Sequence, residues 1–352
     1  MLLPRAAVVR IGAMLAERKR RSDLKRLPAA RENFDRAYAA YWRTGVVTPD
    51  ARELLFLATW SSGGTYALSR ARELGRPMSA ARYDQFPDDL LGRLDAPVVA
   101  RAVEADGFYV APFRLPGDIV DDILEVLDAG PAEPRGDGLG DLPAGRPRPS
   151  APTWWMYPAE SLRSAAVRRL LSERRLAETA GAYLGVDPLI MSVVLWKSFA
   201  WKSPDKRSAQ HFHYDNDRSG FVKMFVHLTD VDETNGPHTY VPHSHRAKPT
   251  ELMHGQRLTD AEVDRFFPSQ TWRIITGPRG TVFFADTQGF HKGGHVATGE
   301  RAIFQINLAT DRFGIDEPPI GSAADAPPDM KPLVAAAPRF FSQLFTPERL
   351  IP

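Results

Sequence analysis

Residues 210–217, "QHFHYDND", set two histidines and a carboxylate on alternate positions of a 352-residue chain that contains no cysteine. Side chains at i, i+2 and i+4 of a strand leave the same side of it. An extended backbone would therefore put His211, His213 and Asp215 on one face, with Phe212 and Tyr214 on the other. Burying unpaired titratable groups costs free energy that a core face does not recover, so a ligand set explains them better. His213-x-Asp215 has the spacing of one half of a two-histidine, one-carboxylate site, which holds Fe(II) on one octahedral face and leaves three positions open. On its own this spacing also arises by chance.

The other half lies downstream. After the strand-like run "GTVFFAD", His291 follows a turn, and Arg301 stands ten residues further on at the head of another apolar run. A histidine there completes the triad, and an arginine there can bind a carboxylate with two parallel N–H donors. The ligand suited to such an arginine is the distal carboxylate of 2-oxoglutarate. With no cysteine, any metal must use His, Asp or Glu, and thiolate nucleophiles, disulfides and iron–sulfur clusters are excluded.

These groups need a β framework, and from Pro188 to Ala309 the chain supplies one. "LIMSVVLWKSFAW", "GFVKMFVHLTDV", "HTYVPHS", "TWRIIT", "GTVFFAD" and "RAIFQINLA" are strand-length, rich in β-branched and aromatic residues, and separated by Gly, Pro, Asn and Asp. Asn235-Gly236 is one such turn signal. Short strands in this rhythm predict a sandwich or barrel. The preceding region is helical: Phe34, Tyr38, Tyr41 and Trp42 recur at helical spacing up to Gly45, and Thr48 with Pro49 predicts the cap and first residue of the next helix. A strand from Gly107 to Phe113 and a helix from about Pro116 open a second unit. Residues 129–153, dense in Gly and Pro, read as a long loop and candidate lid. The segment 160–185 is helical again, ending at Gly185.

Three blocks together resemble the phytanoyl-CoA dioxygenase-like Fe(II)/2-oxoglutarate oxygenases. "EADGFYVAPFRLPGDIVDDILEVLDA" is similar to the family's opening strand and helix, "FVHLTDVDETNGPHTYVPHSHR" to its central Asn-Gly-Pro to Pro-Gly-Ser-His block, and "GFHKGGHVATGERAIFQI" to its distal His-to-Arg block. The resemblance implies an α+β protein with a double-stranded β-helix (jelly-roll, cupin-like) core. It also implies iron ligands His213, Asp215 and His291, a 2-oxoglutarate anchor at Arg301, and O2 as cosubstrate. Two positions depart from it. His243 stands where the family usually has Gly, and Ile303 replaces a common Ser two residues after the arginine. Asp215 is intact where halogenating relatives lack the carboxylate, which implies hydroxylation or another C–H oxidation with release of succinate and CO2.

The remaining polar residues have less specific readings. His211 is a candidate substrate contact or a support for the metal ligands, and Trp196 a candidate wall of the substrate pocket, as are Lys197 and Trp201. Lys223 is an unusual lysine within a strand, expected either to reach 2-oxoglutarate or an anionic substrate, or to face solvent at an edge. His227 reads as a hydrogen-bonded sheet residue, His243 and His245 as turn residues, and His295 as a loop residue.

The organisation expected is a helical extension over 1–100, an oxygenase jelly roll over 101–312, and a tail over 313–352 with a short helix near "RFFSQLF". A net charge of +2 gives no case for nucleic-acid binding, and the basic cluster at 17–26 reads as the end of a surface helix. No run is apolar enough to span a bilayer and no secretory signal is evident, so a cytoplasmic enzyme acting on a small molecule is expected. Nothing in the sequence fixes an oligomeric state. The rival readings are a Zn(II)- or Mn(II)-dependent cupin-type hydrolase or isomerase, and a catalytically silent binding protein of the same fold.

Overall fold

A computed structural model describes residues 22–135, 151–204, 209–253, 257–314 and 318–346; residues 17–21 of the basic cluster and 136–150 of the candidate lid lie outside them. In chain order the site is carried by strands β1 (Phe108–Arg114), β2 (Glu133–Arg135), β3 (Thr153–Met156), β4 (Leu189–Phe199), β5 (Phe221–His227), β6 (His238–Tyr240), β7 (Arg273–Ile275), β8 (Thr281–Ala285), β9 (His291–Gly293) and β10 (Glu300–Ala309). The larger sheet runs in the order β1-β8-β5-β10-β4-β3-β2 and the smaller in the order β7-β6-β9. His213 extends the smaller sheet, exchanging backbone hydrogen bonds with His291 at 2.9 and 2.8 Å. From β4 onward the chain passes back and forth between the two sheets, which is a double-stranded β-helix.

The alternation of side chains sorts β5 and β10 into two rows. Val222, Met224 and Val226 of β5, with Ala302, Phe304, Ile306 and Leu308 of β10, join the main core on the outer face of the larger sheet. Helices α1 (Ala96–Asp106), α2 (Gly117–Ala129), α3 (Ala165–Leu171) and α4 (Arg174–Leu184) contribute to that same core. The opposite rows, Lys223, Phe225 and His227 on β5 and Arg301, Ile303, Gln305 and Asn307 on β10, face the smaller sheet. Both strands are therefore nearly continuously buried although only one row of each is uniformly apolar.

The N-terminal helices pack against the end of this framework. Phe34, Tyr38 and Tyr41 form one stripe of the helix Ala30–Thr44, which stops where Gly45 adopts a φ of 69°. They bury against Leu55, Ala58 and Phe313, each such side chain contributing about 1.5–3 kcal/mol. The Tyr38 hydroxyl donates to Asp311 at 2.6 Å, just beyond β10.

Several local expectations are corrected. The second helix, Ala51–Ser62, begins two residues later than Thr48-Pro49 predicts; Asp50 is its N-cap, and Pro49 lies in the preceding turn. The buried set Leu54, Leu55, Leu57 and Ala58 fixes its phase, so packing overrides the local cap signal. Residues 160–185 break into α3 and α4 because Ser164 caps the first, accepting from the Val167 N–H at 3.0 Å, and the chain turns at 172–173. Both ends of the supposed loop 129–153 are strands: β2 pairs with β3, whose Trp154 is fully buried. In the tail the helix is Lys331–Ala336, while 339–344 turn so that Phe340 and Phe341 pack against Phe86. No described helix is long and apolar enough to cross a membrane.

Candidate metal centre

The stretch 210–217 is not a regular strand; Phe212 and His213 make single bridges to Leu258 and His291. The alternation holds for His213 and Asp215 only. Their side chains meet that of His291 from β9, and the three donor atoms lie within 4.8 Å of one another. The His213 Nε2 is 3.8 Å from Asp215 Oδ1, and the His291 Nε2 is 3.5 Å from Asp215 Oδ2. Each imidazole is oriented by a carbonyl two residues upstream: His213 Nδ1 lies 2.9 Å from the His211 oxygen and His291 Nδ1 lies 2.9 Å from the Gly289 oxygen. With Nδ1–H donating there, both Nε2 lone pairs converge beside the carboxylate, which is the donor chemistry of a divalent-metal site. His211 thus acts through its backbone, and its side chain is not among the cavity-lining groups.

The electrostatics suit that reading. Burial pushes His213 down to about 4 and, together with His213, pushes His291 down to about 3, so both imidazoles are neutral. Burial alone would raise Asp215, but Lys223, His291 and His213 outweigh it and hold the carboxyl well below its usual range. Lys223 lies on an interior strand, not at an edge, because β5 is flanked by β8 and β10. Its ammonium sits 2.7 Å from Asp215 Oδ2 and 3.0 Å from Asp217 Oδ2. Against burial, these carboxylates raise its pKa above the ordinary lysine value.

A pH dependence follows. His213 and His291 have folded pKa values below their ordinary 6.5, so the unfolded chain binds protons that the folded protein excludes. Their contribution is complete above about pH 6.5 and is lost as the pH falls toward 4 and 3. Thermal melts of the metal-free protein are expected to show the midpoint falling steadily from pH 7 to pH 5.

A cavity of about 330 Å³ opens over the triad, between the two sheets. Arg301 closes one end of it. Its side chain is 4% exposed, its Nε has no hydrogen-bond partner, and no carboxylate of the described residues lies within ion-pair distance. Burial lowers its pKa to about 10, which leaves it charged at neutral pH. The guanidinium lies over Gly293, where an added Cβ would come within 3.0 Å of Nη2. Trp196 lines the cavity, stacked on Trp155 at 5.6 Å between ring centroids. Asn307 and Gln305 continue the inward row of β10 toward the other end, with Asp217 beside them.

Other residues fall elsewhere. Lys197 points to the far face, 2.7 Å from Asp128 and 3.1 Å from Glu300, and neither Trp201 nor His295 lines the cavity. His227 is fully buried, yet neither ring nitrogen has a partner of hydrogen-bonding geometry, contrary to the sheet role expected. Burial and then Arg301 push it down to about 4, against the neighbouring Gly277 backbone. His243 keeps the turn of the Pro-x-Ser-His block by adopting a φ of 65°, the conformation that favours glycine. The sequence reading missed His238, which lines the cavity and stacks on His291 at 5.4 Å and 13°. The signal available was its alternation with Tyr240 in "HTY".

Residues 158–303 match the family described as Phytanoyl-CoA dioxygenase (PhyH), a span that holds His213, Asp215, Lys223, His291 and Arg301. No curated protein matches the chain. Among solved structures, it is similar to the non-heme alpha ketoglutarate dependent epimerase SnoN from nogalamycin biosynthesis, at 20% identity over 63% of this chain and 87% of that one, with a TM-score of 0.47. EctD from S. alaskensis with bound Fe gives 20%, 70%, 89% and 0.46 in the same terms. HygX from Streptomyces hygroscopicus with nickel and 2-oxoglutarate bound gives 16%, 60%, 86% and 0.41. The matched segment, residues 158–303, carries the triad and Arg301 on a double-stranded β-helix, and over that segment the chain is similar to the phytanoyl-CoA dioxygenase family.

Proposed function

We propose that this protein is an Fe(II)- and 2-oxoglutarate-dependent dioxygenase that hydroxylates, or otherwise oxidises, a C–H bond of a small-molecule metabolite. The observation that carries the proposal is the buried, counterion-free Arg301 at one end of the cavity whose middle holds the triad. A hydrolytic or isomerising metal site gives no reason for such a cation, because an unpaired buried charge costs several kcal/mol. An anionic ligand that also reaches the metal gives one.

The residues present fit the group. His213, Asp215 and His291 would hold the metal on one face, and Arg301 would bind the distal carboxylate of 2-oxoglutarate. With O2, the loaded centre supplies the oxidation: substrate R–H, O2 and 2-oxoglutarate become R–OH, succinate and CO2. The chain's own part is positional. The His211 and Gly289 carbonyls set the ring planes of the two histidines. Lys223 holds Asp215 in the triad and neutralises part of the local negative charge. Trp155, Trp196, Phe225 and Phe283 give the cavity an apolar wall, and Gln305, Asn307 and Asp217 offer a substrate polar contacts. The organisation that supports this reading is a jelly roll over 101–312, flanked by the helical region before it and the tail after it.

The test is succinate formation by the purified protein with Fe(II), ascorbate, 2-oxoglutarate and O2, beside an anaerobic control and Asp215→Ala. Succinate that requires iron and oxygen and disappears in the variant is the expected result. No succinate, together with no change in the anaerobic Fe(II) absorption spectrum on adding 2-oxoglutarate, would overturn the proposal.

A further inference from the structure

Arg301 alone does not complete an anion site. A carboxylate presents about four lone-pair positions, and a bidentate guanidinium fills two. The side chain two residues along β10 is that of Ile303, which has no polar atom to give. A buried carboxylate bound here therefore needs another donor from the surrounding wall.

The register of the smaller sheet identifies one. His238 is the cross-strand partner of Gly293, and directly paired residues project from the same face. Gly293 has no side chain, and the Arg301 guanidinium occupies the space a Cβ would need. The His238 imidazole therefore stands beside the guanidinium on the same wall. It is 9% exposed and held among three rings, 5.4 Å from His291, 5.3 Å from Phe225 and 5.4 Å from Phe283. Its Nε2 is sealed from solvent and has no hydrogen-bond partner. The ring thus lines the cavity wall between a metal-site histidine and the unpaired arginine, with one polar atom still without a partner. His227 is also unpartnered but does not line the cavity.

We propose that His238 is the second donor to the distal carboxylate of 2-oxoglutarate, beside Arg301. The inference rests on the proposed cofactor and assigns His238 to binding and positioning.

The test compares two 2-oxoacids on the full chain loaded with Fe(II) without oxygen, read by visible absorbance. 2-Oxoglutarate carries the distal carboxylate, and 2-oxovalerate has a methyl group in its place. His238→Phe keeps the ring packing and removes the N–H; His238→Gln restores a donor. His238→Phe is expected to weaken 2-oxoglutarate roughly ten- to hundred-fold, the range of a hydrogen bond to a charged group. Its affinity for 2-oxovalerate should stay unchanged, and His238→Gln should regain much of the loss. Equal weakening of both ligands would mean that His238 acts through the metal site, and no weakening would mean that it makes no contact; either overturns the inference. Wild-type protein that gives no absorbance with either acid would overturn the cofactor itself, a result distinct from both.

Discussion

Arg301→Met is expected to make the metal-free protein more stable while abolishing useful binding of 2-oxoglutarate. The two effects have one cause. In the free protein the guanidinium is buried with no carboxylate among the described residues to neutralise it, and replacing an uncompensated buried charge by an apolar chain of similar length gains about 1–3 kcal/mol. With ligand bound, the same charge would be half of a desolvated pair, and truncating one partner costs about 2–5 kcal/mol, or roughly 30- to 4,000-fold in affinity. Thermal melts without ligand should rise by a few degrees, whereas an anaerobic titration should show 2-oxoglutarate binding weakened by that factor with Fe(II) binding retained. A variant that loses stability would show that Arg301 has a structural counter-charge within the free protein.

Lys223→Met is expected to act in the opposite direction. Its ammonium bridges Asp215 and Asp217, so removal takes away the cation shared by two neighbouring carboxylates. Their side chains are 20% and 32% exposed, which lets water screen part of the repulsion, so the loss should be about 2–4 kcal/mol. A divalent ion at the triad restores the missing positive charge. Saturating Mn(II) should therefore raise the midpoint of the variant by more than it raises that of the wild type. Equal shifts would mean that Lys223 and the metal do not share Asp215.

Much of this was legible in the sequence because the jelly roll obeys a period of two. The strand runs, the His213-x-Asp215 pair, and the His291-to-Arg301 spacing are all local patterns, and local patterns survive into structure when one face of each strand must be buried. What was not legible depends on pairing between distant segments. His238 reaches the cavity wall only because β6 lies beside β9, and Lys223 reads as anomalous until β5 is known to be interior and Asp215 to fold over it. Trp155 follows the Gly- and Pro-rich stretch 129–153 that reads as loop, yet β3, which begins within that stretch at Thr153, is held by pairing with β4. Thr48 failed as a cap because the buried side of the helix Ala51–Ser62, not its first polar residue, decides where it begins.

The separation of β10 into two rows has a consequence for how such an enzyme can change. Ala302, Phe304, Ile306 and Leu308 carry the fold, Arg301 is the proposed anchor of the cosubstrate, Asn307 is tied to Asp217, and the half-buried Gln305 lines the cavity between them. An exchange at 305 alters the chamber while leaving the packed row, Arg301 and the Asn307–Asp217 contact in place, so the chamber can be reshaped there at little cost in stability. The same strand thus behaves as a fixed spine with one interchangeable tooth, and the shape of the chamber can change at it without the protein having to refold.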